Sequence, residues 1–152
     1  MHILIIVLFV VGFDVASGQI PSKRNNLIDG HLERVTQPNL EVRKTFEKIE
    51  RGVETGSIES LYALFPQQLS VSLDGNESGV FSNNQAAALL RNYFSLKRPI
   101  SFSFTRISDK ASNPYATGTL VYVHKGNRET AQIYVSLAER DSRWVVKQFN
   151  IY

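Results

Sequence analysis

Apolar residues in the middle of the chain recur first at helical and then at strand spacing. Val42, Phe46, Ile49 and Val53 fall at intervals of four, three and four, which puts them on one stripe of a helix. Asn39 is placed to cap that helix, Glu41 suits its positively polarised first turn, and Gly56 ends it. Ser57 then caps a second short helix carrying Ile58, Leu61 and Leu64, stopped by Pro66. Leu69, Val71 and Leu73 alternate with Gln68, Ser70 and Ser72, the period of a half-buried strand. Asp74-Gly75-Asn76 reverses the chain, and Gly79-Val80-Phe81 pairs back as a brief hairpin. Ser82 with Gln85 forms a capping box, and Ala86, Leu89, Leu90 and Tyr93 continue as an amphipathic helix to about Leu96.

After Pro99 the pattern switches to strands. Ile100, Phe102 and Phe104 alternate with Ser101, Ser103 and Thr105, giving one apolar and one polar face. Tyr115 to His124 reads as a long strand that Lys125-Gly126-Asn127-Arg128 turns into a second, Glu129 to Leu137. Glu139-Arg140-Asp141-Ser142 leads to a last strand, Trp144 to Ile151. Helices followed by a run of antiparallel strands argue an α+β domain, with three helices of the N-terminal half packed on one face of a curved sheet.

The N-terminus carries a different signal. Ile3 to Phe13 is apolar apart from Gly12 and is broken by Asp14, too short for the ~20 residues that cross a bilayer as a helix. Ala16-Ser17-Gly18 offers small residues for signal peptidase, so residues 1–18 read as a signal peptide and Gln19 as the mature start. Residues 19–38 are polar, with Pro21, Gly30 and Pro38, and read as a leader; residues 39–152 form one domain. The expected location is therefore outside the cytosol, periplasmic or secreted, with no membrane span after cleavage. The chain has no cysteine, which excludes disulfides, thiol nucleophiles, cysteine zinc sites and the acceptor of a lipoprotein anchor. With 152 residues, 43% of them hydrophobic, it can bury a core without such staples. Removing residues 1–18 loses one acid, so the net charge moves from 17 − 14 = +3 to 17 − 13 = +4. Those charges are scattered, with no basic run, and nucleic acid is not an expected partner.

The local wording goes beyond periodicity. Phe46-Glu47-Lys48-Ile49-Glu50-Arg51-Gly52, Leu69-Ser70-Val71-Ser72-Leu73, Phe81-Ser82-Asn83-Asn84-Gln85-Ala86-Ala87-Ala88-Leu89-Leu90 with Tyr93-Phe94, Tyr115-Ala116-Thr117-Gly118 and Trp144-Val145-Val146 resemble an exported bacterial family, domain of unknown function 4783. The resemblance covers roughly Leu40 to Tyr152. It implies a nuclear transport factor 2-like (cystatin-like) cone, a bent sheet wrapping a helix around a pocket, and it brings no activity or catalytic residues with it.

No HExxH, GxSxG, GxGxxG or P-loop pattern occurs. A cone-fold isomerase or dehydratase would need a carboxylate or imidazole facing a tyrosine in an apolar pocket, and the available parts are Asp109, His124, Tyr93, Tyr115, Tyr122 and Tyr134. Asp109 lies in a polar loop and His124 beside a turn, and three histidines, one of them His2 in the signal, cannot build a metal site. No cofactor is expected. Tyr93, Tyr122, Tyr134 and Trp144 could wall a binding pocket. Ser101, Ser103 and Thr105 would lie beside Gln132, Tyr134 and Ser136 if their strands pair, forming a polar face suited to a protein partner or a second copy. The sequence thus reads as a noncatalytic exported module that binds a small apolar ligand in the cone or a protein on the sheet, with a small enzyme as the alternative. The sequon Asn76-Glu77-Ser78 matters only in a eukaryotic host, which the resemblance speaks against. N-terminal sequencing of protein from the exported fraction should begin at Gln19; a retained Met1 would refute the cleaved signal.

Overall fold

Residues 25–74, 77–109 and 112–152 are described by a computed structural model, with side chains from Leu40 onward. The expected signal peptide, the start of the leader, the Gly75-Asn76 turn and Lys110-Ala111 lie outside them. Among the described residues no helix is long and apolar enough to cross a membrane.

Helix α1 spans Asn25–Thr55 and α2 spans Ile58–Tyr62. The hairpin β1 (Gln68–Leu73) and β2 (Glu77–Ser82) follows, then α3 (Asn83–Leu96) and strands β3 (Arg98–Ser108), β4 (Tyr115–His124), β5 (Asn127–Arg140) and β6 (Arg143–Ile151). The β1–β2 hairpin separates α2 from α3, in the order that the spacing predicts.

The stripe Val42, Phe46, Ile49 and Val53 is fully buried, as its spacing requires. The start of α1 differs from the expected cap at Asn39: Gly30 and Pro38, read as breakers of a leader, lie within the helix. In sequence, Ile28, Leu32 and Val35 extend the same four-and-three interval backwards, with the polar Asn39 in the next slot hiding the continuity. Gly56 ends α1 at φ +67°, a left-handed position that a residue without Cβ occupies freely, and Ser57 N–H closes the turn onto Gly52 O at 2.9 Å. Ser57 precedes α2, yet its hydroxyl pairs with Ser60 Oγ at 3.0 Å instead of capping the backbone. Ser82 and Gln85 do form the expected reciprocal capping box of α3.

The sheet has the order β2-β1-β6-β5-β4-β3, antiparallel throughout except where β1 runs parallel to β6. Register shifts at Pro99/Ser101, Phe104/Arg106 and Ser136/Leu137 bend it. On its inner face Phe102, Leu120, Ile133, Val135, Phe149 and Ile151 are buried against the α1 stripe, and Phe46 meets Phe104 edge-on at 5.6 Å. At Gly118 this packing leaves no room for a side chain: a Cβ would stand 2.4 Å from Ser103 O and 2.8 Å from the Phe102 ring. Strand β3 is an edge, and α1 guards it, because Phe104 N–H donates to Glu50 Oε2 at 2.9 Å. Glu50→Ala should cost about 1–2 kcal/mol in urea unfolding by leaving that N–H unpaired, and Glu50→Gln, which keeps an acceptor oxygen, should cost less.

Candidate functional site

One end of the curved sheet collects the polar side chains that face inward. The C-terminal turn of α3 supplies Tyr93 and, at the cap, Lys97, four residues on and so on the same side of the helix. Lys97 Nζ is ion-paired with Asp74, which closes β1 in a left-handed conformation (φ 47°) with its N–H held by Ile151 O. The ammonium also reaches the Tyr93 hydroxyl at 3.4 Å and lies 4.6 and 5.3 Å from the ring centres of Tyr93 and Tyr122. Contacts of this cation–π kind are worth about 1 kcal/mol or more where solvent is partly excluded. Across the β4–β5 turn Tyr122 pairs with Glu129, donating its hydroxyl to Oε2 at 3.0 Å, and His124 Nδ1 stands 3.8 Å from Oε1.

Burial raises the Tyr93 hydroxyl well above the ordinary phenol range, with the neighbouring Tyr122 and Glu129 charges adding to it. Tyr122 is raised as well, by burial, by its hydrogen bond to Glu129 and by that carboxylate's charge. Both phenols are therefore neutral donors at physiological pH, unable to act as bases. The cation is neutralised by Asp74 and the carboxylate is engaged by Tyr122, so the cluster is an internally satisfied polar closure of the core. Among the described residues no three His, Asp or Glu side chains converge as a metal site would require.

The remaining sequence candidates are elsewhere. Asp109 is on the outside of this cluster, with Oδ2 2.8 Å from Arg43 Nε of α1. Tyr134 does not share a wall with Tyr122: it projects from the opposite, outer face, where it stacks on Tyr115 at 5.9 Å. Ser103 and Gln132 share that outer face but their strands are not neighbours, as β3 and β5 are separated by β4. Thr119 joins them, paired with both and accepting from Gln132 Nε2 at 3.1 Å. Ser101, Ser103 and Thr105 thus meet Val121, Thr119 and Thr117 of β4 before they meet Gln132, Tyr134 and Ser136. Trp144 is apart from all of these, half-buried beside α1 and α2 and paired with Glu139.

Sequence reasoning missed Lys97, Asp74 and Glu129. The signals were present for two of them: Tyr93 and Lys97 are one helical turn apart, and Tyr122 and Glu129 flank Lys125-Gly126 symmetrically, so a two-residue turn sets them face to face. Nothing local joins Asp74 to Lys97. In an alkaline absorbance titration Tyr93 and Tyr122 should stay protonated in the native protein past about pH 10, where a free phenol ionises. The missing signal should appear on unfolding. Because the folded state holds these protons more tightly, their contribution to stability is intact below about pH 10 and is lost as the pH climbs beyond it. Tyr93→Phe should flatten that alkaline decline.

Against solved structures, the chain superimposes on a DUF4783 family protein of Bacteroides uniformis ATCC 8492 with a TM-score of 0.64 and 13% identity, covering 69% of this chain and 93% of that one. An NTF-2-like protein of unknown function from Shewanella oneidensis MR-1 gives 0.55 and 14%, covering 75% and 98%. A LEH-like epoxide hydrolase of M. tuberculosis gives 0.57 and 15%, covering 74% and 82%. At such identities these likenesses establish the nuclear transport factor 2-like fold alone. No curated protein matches the sequence. The family match is direct, however: residues 46–152, the stretch that holds the α1 stripe from Phe46 onward and the whole sheet, fit the domain of unknown function DUF4783, and the chain belongs to that family.

Proposed function

We propose that the protein is an exported, noncatalytic binding module that docks an acidic partner protein on the outer face of its sheet. The observation that carries this is the makeup of that face. Its centre is hydroxyl, amide and phenol, from Ser103, Thr117, Thr119, Gln132, Tyr134 and Tyr115. The charges flanking that centre include Arg98, Arg106 and Arg128, in outward register with Val123 and Thr117, and no carboxylate lies among them in the described residues. A face with few long charged side chains and rigid tyrosines suits an interface. A second copy would bring no carboxylate to the three arginines, whereas an acidic partner does. The cone interior supports the face over a small apolar ligand, since Phe46, Phe102, Leu120, Ile133 and Phe149 pack it with buried side chains.

A small cone-fold enzyme of the isomerase or dehydratase type is the second reading, favoured by the Tyr122–Glu129 hydrogen bond and by the fold likeness to an epoxide hydrolase. It requires Glu129 to exchange Tyr122 for a substrate.

A photocrosslinking residue placed at Gln132 and expressed in the host should trap one discrete acidic protein. Arg106→Glu should abolish the adduct, and a crosslinker at Glu54 on α1 should give none. Adducts only with the chain itself would replace the partner by a homodimer, and no adduct would sink the reading.

A further inference from the structure

A groove remains that the sheet face and the polar cluster do not use. A cleft of about 1040 Å³ lies between α1, α2 and the start of β6, and a second of about 760 Å³ lies between the α2–β1 connection, the start of α3 and β6. They share Ala63, Arg143 and Val145 in their linings, so the two clefts adjoin at the β5–β6 hairpin. We infer that this groove binds an acidic polysaccharide, with a uronate ring seated on Trp144.

Five cations line it: Lys48 and Arg51 from α1, and Arg140, Arg143 and Lys147 from the hairpin. None of the five makes an ion pair among the described residues. Against them stand three carboxylates, Glu41, Glu139 and Asp141, of which Glu41 is held by Lys44. Unpaired guanidinium groups are built to take carboxylates in forked hydrogen bonds. Trp144 presents a flat apolar surface of the kind that stacks on the C–H face of a sugar ring, with a single polar edge. Beside it Ser57 and Ser60, and in the adjoining cleft Gln67, Gln68 and Asn83, offer hydroxyls and amides for sugar hydroxyls. The combined volume suits several residues of a polymer, since a single small ligand fills about 300–1,000 Å³.

The turn that carries the groove is a second observation. Arg140 and Arg143 are directly opposed across β5 and β6, and Asp141 and Ser142 between them adopt φ of 49° and 59° with side chains present. Like charges in cross-strand register and non-glycine residues at positive φ both disfavour the free hairpin. A bound polyanion relieves the first of these. Single-stranded nucleic acid fits less well, because it asks for successive aromatic platforms and here there is one, and because three carboxylates would face its phosphates.

Trp144 is the only tryptophan in the protein, so its emission reports on this groove directly. Titration of the whole protein with tri-galacturonate should give a saturable change in that emission, weakened by added salt and absent with the neutral maltotriose. Arg143→Ala should weaken the response about tenfold, the loss of one charge-assisted contact. Lys48→Ala, on the exposed side of a helix, should also weaken it, and tests the same point if the hairpin variant fails to fold. No saturable change, an equal response to maltotriose, undiminished binding by both variants, or tighter binding of a thymidine hexanucleotide would each overturn the assignment.

Discussion

Everything in this fold is arranged around the contact between the buried stripe of α1 and the inner face of a sheet bent enough to hold it. A flat sheet would touch a helix along a line; the shifts at Pro99/Ser101, Phe104/Arg106 and Ser136/Leu137 let β3 to β6 reach round it. The absence of a side chain at Gly118 allows the Phe102 ring to lie over β4, and Glu50 reaches from the helix to the edge strand that the bend leaves open. Helix, bulges, glycine and carboxylate are thus one device, and each would be out of place without the others.

That device explains how much of the molecule could be read in advance. Spacing alone located the α1 stripe, the box of Ser82 and Gln85, and the alternating strands, because helical and strand periods are imposed locally. The family wording added the fold. The start of α1 escaped because Asn39 breaks an apolar rhythm that Ile28, Leu32 and Val35 otherwise carry, and because Gly30 and Pro38 weigh against a helix. The order of strands escaped for a different reason: pairing of β1 with β6 joins residues some eighty positions apart, and no local pattern encodes it. Ser103 and Gln132 of the candidate polar face do share one side of the sheet, but β4 intervenes between β3 and β5.

Tyrosine placement shows the same limit at finer grain. Tyr122 and Tyr134 look alike in sequence, each in an alternating strand, yet one faces in toward Lys97 and Glu129 and the other out toward Tyr115. The Lys125-Gly126 turn fixes which is which, because in a two-residue hairpin a shift of one position would exchange the faces of every side chain. The inward tyrosines close the polar end of the core with neutral hydroxyls, and the outward pair stack on each other on the open face of the sheet. The protein thereby separates what holds it together from what it presents.

The parallel pairing of β1 with β6 has a temporal side. The strand latest in the chain lies between β1 and β5 at the middle of the sheet, so the early hairpin β1–β2 has no partner to dock on until β6 has been made. Such a topology delays closure of the core and keeps the growing chain open, which slows folding in proportion to the separation of the contacts. A chain of this design commits to its shape late, only once nearly its whole length is available to fold.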